Sequence, residues 1–578
     1  MLALTAATAT ANAAVIKIDG SNGIATTDGS GRLIIDSSKT LTTGNDYILT
    51  EITYVTGGTL TIEKGVIIRG EQKTSGQNDP GSLVITRDGQ IDVQGTAAEP
   101  VIMTTAALDN DGNSLPDRVG GVDTNTAADY VDWSSSSDTF LDSDPLNSPL
   151  PPYLGWDTAD RYTPPAAVLE YRGMWGGLIV LGKAPNSISE VDSNGQVGAT
   201  SKADGSAAPS QLDEIFEGYI EGIAPATSGE YGVYGGRNPH DSSGSITYLS
   251  IRHGGSDIGD GNEINGLTLG SCGDGTRIEN VEVYCNADDG FEWFGGSVNC
   301  KYLVGLFNND DTFDKDEGFM GHGQFWFSLQ IDDNLNGDHG AEHDGTDALF
   351  ESVGVAGMDV EGDNGGGLYL AHSTVYNATY IGAGAGQDTT PDSGANSAFC
   401  IRDSWGGGYY NSIFTDFGGY AVRVDGDNAA RFAAGDVSFK SNIFYNFALD
   451  GGTAFDATPT TAELAKEGAG SNAEAILANT GDNFSGNTIN VDPFDSRRNG
   501  IAGIPFLGIA DTPAKFDRRT GLDPRPDTGV TEVVSDLEDE LATFFTDVAY
   551  KGAFEPTAAT LWTDGWTAAS ALGVISKQ

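Results

Sequence analysis

Residues 285–293 read CNADDGFEW, residues 307–315 read FNNDDTFDK and residues 329–337 read LQIDDNLNG. The three double aspartates, Asp288-Asp289, Asp310-Asp311 and Asp332-Asp333, recur at a spacing of 22 residues, each after a run of strand-like residues. At that spacing Val281, Leu303 and Phe325 share a column, as do Val283, Gly305 and Phe327, and Cys285, Phe307 and Leu329. Side chains alternate across a strand, so the three columns are expected to point inward together. Val304, Leu306 and Trp326, beside Glu282 and Tyr284, are then expected outside. A period in the low twenties, with short strands and Gly/Asn/Asp corners, predicts a solenoid with one coil per repeat. A leucine-rich repeat would need a Leu/Asn consensus and helical segments, and neither occurs.

Composition limits what such a solenoid can bind. The chain has 578 residues, 83 Asp and Glu against 30 Lys and Arg, and a formal net charge of −53. That surplus repels phosphate and anionic lipid and excludes nucleic acid as an expected partner; it favours cations. High charge also marks disordered chains, but 38% hydrophobic residues and dense runs of Val, Ile, Phe and Tyr suffice for a core. No stretch is long enough to be a transmembrane segment. Residues 1–13 resemble the end of a secretory signal, with cleavage after Ala11-Asn12-Ala13, which predicts a secreted protein, extracellular or on a bacterial cell surface. No Lys or Arg precedes the apolar run, as expected if a basic segment lies further upstream. The rival reading is an unstructured Ala/Thr terminus. Cys272, Cys285, Cys300 and Cys400 leave room for one disulfide without fixing a pairing.

Residues 14–58 are expected to form N-terminal strands and a cap, and residues 59–447 the solenoid proper. GTLTIEKGVIIRG and GSLVITRDGQIDVQG are alternating strands cut by glycine turns. Polar, proline-bearing stretches near 118–165 and 190–230 read as long loop insertions. Residues 448–530 are expected to hold a helical insertion at 462–479 and the last coils, and 531–578 a C-terminal cap. There Ser535 and Glu538 form a capping-box pattern, Leu537, Leu541, Phe544 and Phe545 an apolar stripe, and a Trp-rich tail follows. A cap would close the open edge of the last coil.

With these segments in view, the region from Thr59 to Phe447 resembles the right-handed parallel β-helix proteins of the pectate-lyase-like superfamily. WGGLIVLGKAP at 175–185, DDGFEWFGG at 288–296 and the YKGAF…WTDGW ending at 550–566 are similar to segments of uncharacterised secreted bacterial β-helix proteins. NADDGFE at 286–292 is similar to the calcium-binding aspartate motif of family 9 pectate lyases. That resemblance implies Asp288 and Asp289 as calcium ligands in a lyase whose lysine takes the uronate proton. Glu292 departs from it, since that family prefers Asp there. Lys301 and Lys315 are the nearest lysines, and sequence places neither as the base.

The double aspartates then acquire a geometry. Residues on neighbouring coils lie about 4.8 Å apart, so Asp288, Asp310 and Asp332 would form one column and Asp289, Asp311 and Asp333 another. At that distance carboxylates repel by about 1 kcal/mol in water and several times that near the protein. Calcium, which takes six to eight oxygens, would relieve the repulsion, with Glu292 and Asp314 completing the shell. Ordinary Asx turns are the competing explanation. Asp109, Asp111, Asn113 and Asp117, around Gly112, form a second candidate calcium loop, without the terminal Glu of an EF-hand. His339 and His343 have zinc-like spacing only on a helix, which their glycine-rich setting opposes.

The expected function is therefore a calcium-stabilised structural, surface, matrix or filament-forming β-helix. Its outer apolar rows would be covered either by its own insertions at 142–157 and 192–210 or by self-assembly into a homo-oligomer or filament. The alternatives are a calcium-dependent polysaccharide lyase or hydrolase, and an adhesin binding extracellular polysaccharide through Trp293 and Trp326. No catalytic residue is assigned.

Overall fold

A computed structural model describes residues 14–71, 80–106, 172–187, 217–345, 371–382, 397–447, 460–495, 522–530, 533, 543–571 and 574–575, less residues 221, 224–230, 237, 260–261, 331–336, 426–427, 469–470, 490 and 529. Among the described residues the chain winds through three faces per coil. Faces one and two form a 20-stranded sheet and face three a 12-stranded sheet. Three strands bend across the first two faces: Gly244–Arg252, Arg277–Tyr284 and Asn299–Leu306. Their successive pairings are parallel and in register, for example Ile246 with Ile278 and Ile278 with Cys300. This is an all-β parallel β-helix, as the repeat predicts.

The bends require unusual backbone. Tyr248, Asn280, Tyr302, Phe325, Asn377, Asn411 and Ser441 stand above one another between faces one and two, all with positive φ. A left-handed residue costs about 1–2 kcal/mol unless it is Gly, Asn or Asp. The aromatic members offset that cost by stacking, Tyr302 on Phe325 at 4.9 Å between centroids.

Inside, one continuous apolar core runs from Ile18 to Phe484. Its centre is aromatic. Trp293 stacks on Trp326 at 5.1 Å and 3°, and Phe313 lies 5.4 Å from Phe291 and 5.3 Å from Tyr380. The coils extend on both sides of residues 59–447, into the segments read as N-terminal strands and as the last coils. Ala14–Ile18 already pairs with Asn45–Leu49, and beyond residue 447 Phe484–Ser485 pairs onto Val437–Lys440. Among the described residues of the 462–479 segment the helix is Glu474–Ala478. The insertions near 118–165 and at 190–216 lie outside the described residues.

The 22-residue register holds for one step and then slips. Val281 faces Leu303 as expected, but the pairs Lys301–Gln324 and Val304–Phe327 are 23 residues apart. One added residue turns every following side chain to the other face. Trp326, expected outside, is therefore in the core and takes the place assigned to Phe325. Phe327 and Leu329, expected inside, lie on the outer surface of face two with Val304 and Leu306.

Among the described residues that outer surface is covered by the chain's own C-terminal segment; the insertions at 142–157 and 192–210, expected to cover it, lie outside the described residues. Phe554 meets Phe327 edge-on at 5.1 Å, Trp562 lies 5.2 Å from Tyr302, and Trp566 meets Tyr248 edge-on at 5.7 Å. The Ala568 and Ala569 N–H groups donate to the buried carboxylate of Glu282, and the Gly552 N–H donates to Asn411 O at 2.7 Å. Gly552 has φ +83°, and a Cβ there would come within 2.8 Å of Ile413. The segment expected to close the end of the solenoid thus lies along its side, spanning coils from Tyr248 to Ile413. Residues 534–542, which carry the capping-box pattern, lie outside the described residues.

Trp566 is fully buried. Trp566→Ala is expected to lower stability by about 3–5 kcal/mol, measured by chemical denaturation, with the strand signal in circular dichroism unchanged.

Candidate cation site

The corner between faces two and three carries the double aspartates, and its backbone decides their geometry. Main-chain carbonyls of the neighbouring coil satisfy some of the amides there, such as Asn309 N–H on Asn286 O at 3.0 Å, and side chains satisfy others. Asn308 Oδ1 accepts the Asn286 N–H at 3.1 Å, and Asp289 Oδ1 accepts the Asp311 N–H at 2.8 Å. Asp311 Oδ1 in turn accepts the N–H of His339. Buried amides need such partners, so Asp289 and Asp311 bind neighbouring coils together before any ion is considered.

Their counterparts one coil further on are not Asp332 and Asp333. Leu306 pairs with Leu329, 23 residues on, but Asp314 pairs with Glu342, 28 on, so five more residues are inserted at this corner. The Asp338 N–H donates to Asp310 O and the Thr312 N–H to His339 O. Asp338-His339 therefore stands where the 22-residue repeat places Asp332-Asp333. Those two aspartates lie outside the described residues, as do Asp109, Asp111, Asn113 and Asp117.

The remaining predicted ligands converge. Carboxylate oxygens of Asp288, Asp289 and Asp310 lie within 4.8 Å of one another, and so do those of Asp289, Glu292 and Asp314. Asp289 belongs to both groups. Asp311 joins a third group, with Asp338 and His339. Beside them is a cavity of about 150 Å³ lined by Asn265, Thr268, Asp288, Asp289, Glu292 and apolar residues. Asn265, which sequence reasoning missed, donates to Glu292 through Nδ2. Its Oδ1, and Asp314 Oδ1, are buried acceptors without a hydrogen-bond partner. Nothing in the local sequence marks Asn265. It reaches the site because Leu267 pairs with Phe291 on the next coil.

The electrostatics are those of a site short of positive charge. Burial pushes the Asp289 carboxyl well above the usual range, and Asp288, Asp314, Asp310 and Asp311 add to the shift. Asp311 and Asp314 are raised for the same reasons, burial first and then Glu342. Burial, with Asp344 second, brings Asp316 up to about 7.

Neither nearby lysine serves this corner. Lys301 Nζ donates to Phe544 O and, at 3.0 Å, to Thr546 Oγ1 of the C-terminal segment. Lys315 is fully buried inside the coil, its Nζ 3.3 Å from the Tyr409 hydroxyl and 5.2 Å from the Trp326 ring centre. Burial draws its pKa well below the ordinary lysine value. Trp293 and Trp326 are likewise enclosed, which removes them as platforms for a glycan. The four cysteines are all free and buried. His343 is fully buried, stacked on Trp405 at 4.6 Å, whereas His339 lies at the acidic corner, so the two histidines do not converge.

Residues 33–129 and 222–488 match the pectate-lyase like beta helix domain. The chain belongs to this family. No curated protein matches it. In this pectate-lyase-like β-helix, strands of face three hold the acidic column Glu292, Asp314 and Glu342 in consecutive register, and the corner ahead of them holds the aspartates.

The raised carboxyl values fix the sign of a pH effect. Unfolded carboxylic acids titrate near 4. Where the folded state keeps protons that the unfolded state has lost, stability falls as pH rises. Chelator-treated protein is therefore expected to melt at a higher temperature at pH 5 than at pH 8, Asp316 completing its share near 7. Asp289→Asn keeps an acceptor for the Asp311 amide and is expected to shrink that fall. Asp289→Ala orphans the amide and is expected to cost about 1–3 kcal/mol; melting curves of the three proteins at both pH values check this.

Proposed function

We propose that this chain is a secreted, calcium-stabilised β-helix of a bacterial surface or matrix, with a structural or binding role. The observation that carries the reading is the all-oxygen pocket. Asn265 Oδ1 and Asp314 Oδ1 are buried acceptors without partners, beside the converging carboxylates of Asp289 and Glu292. A hard cation supplies what those oxygens lack, and calcium accepts the irregular, oxygen-rich shell that two carboxylate groups sharing Asp289 would form. It would also hold as anions carboxyls that burial otherwise protonates.

The alternative is a calcium-dependent polysaccharide lyase acting on a uronate-containing glycan. It needs a base within hydrogen-bond reach of the substrate proton. The two lysines nearest in sequence are tied to the C-terminal segment and enclosed in the core, which favours the non-catalytic reading. A homo-oligomer or filament loses its original motive, since the apolar rows that would have driven association are already covered.

The test is calcium addition to chelator-treated full-length protein. Calcium is expected to raise the melting temperature by several degrees in the parent and to have no such effect on Asp289→Asn. An unchanged parent would overturn the calcium reading. Formation of unsaturated, ultraviolet-absorbing products from polygalacturonate would replace the structural role with the lyase. Calcium-dependent growth of particle size in light scattering would restore self-assembly.

A further inference from the structure

One coil beyond the all-oxygen pocket, the donors change in kind. Glu342 pairs in register with Cys400 on face three, although the two lie 58 residues apart in the chain. A carboxylate oxygen of Glu342, the Cys400 sulfur and a ring nitrogen of His339 lie within 4.8 Å of one another. His339 is 3% exposed, and its Nδ1 is buried with no hydrogen-bond partner. The other ring nitrogen, Nε2, stands 3.3 Å from Asp338 Oδ1. That oxygen makes no hydrogen bond, and a small turn of the ring would let Nε2–H donate to it, the usual support for a histidine whose other nitrogen binds a metal. The main chain at His339 is fixed as well, because its N–H donates to Asp311.

We infer that His339, Glu342 and Cys400 form a second metal site, distinct from the oxygen pocket and fitted to a thiophilic divalent cation of the zinc class. Nitrogen, sulfur and oxygen donors together suit zinc and not calcium. Zinc–ligand bonds of about 2.0–2.3 Å require three converging donors to lie roughly 3–4 Å apart, so small rotamer adjustments bring the three into contact with one ion. Glu342 gives one oxygen to Arg402, 3.3 Å from Nη1, which orients the carboxylate. Burial pushes the Cys400 thiol up, so the bound metal must draw off its proton, as zinc does with coordinating thiols. A water molecule would be the fourth ligand.

Full-length, metal-free protein titrated with Co²⁺ tests the site. The expected result is one equivalent bound with an intense near-ultraviolet thiolate-to-cobalt band, displaced by Zn²⁺. The band is expected to be lost in Cys400→Ser and in His339→Ala and kept in Glu292→Gln, whose side chain belongs to the oxygen pocket. Absence of the band in the parent, or its survival in Cys400→Ser, would overturn the inference. X-ray absorption at the zinc edge of the zinc-loaded parent gives a check independent of any variant. A shell containing one sulfur supports the site, and a shell of oxygen and nitrogen alone overturns it.

Discussion

A β-helix must satisfy the amides of its corners, where main-chain pairing between coils is incomplete. At the corner between faces two and three this pectate-lyase-like β-helix uses side-chain oxygens from the adjacent coil, with Asp289 accepting from Asp311 and Asp311 from His339. Elsewhere neutral residues do the same: Asn442 Oδ1 accepts the Ser412 N–H and Asn487 Oδ1 accepts the Asn442 N–H. Asparagine meets the backbone requirement without charge. Aspartate in the equivalent role adds a buried negative charge that must be protonated or paired with a cation. The choice of Asp over Asn is what makes this corner chemically different from the other.

Much of this was legible in the sequence. The double aspartates, their glycine and aromatic neighbours and the first 22-residue step gave the solenoid, and Asp288, Asp289, Glu292, Asp310 and Asp314 do assemble. What could not be read was the irregular step. A single residue added after Leu306 reversed the faces of Trp326, Phe327 and Leu329, and five more put Asp338-His339 in the expected place of Asp332-Asp333. A fixed spacing carries no warning of where it fails. Asn265 and Cys400 were invisible for a related reason, since each joins its partners only through pairing between coils.

The outer apolar rows show how a local pattern misleads about surroundings. Val304 and Leu306 do face away from the core, as alternation requires. Yet they are as enclosed as core residues, because Ala553, Phe554, Leu561, Trp566 and Ala568 pack in one cluster with them. The Trp-rich ending reads as a plug for the last coil because an open sheet end needs one. Its aromatic spacing instead matches the side of face two.

That lateral placement has a consequence for how the molecule is made. The surface comprising Tyr284, Val304, Phe327 and Ile413 is synthesised well before the segment that shields it. A growing chain therefore carries a wide sticky flank until the segment from Ala553 onward is made, the kind of transient exposure that invites association with other chains. Early coils can wind, but this flank is shielded only once Ala553 and the residues that follow it are in place.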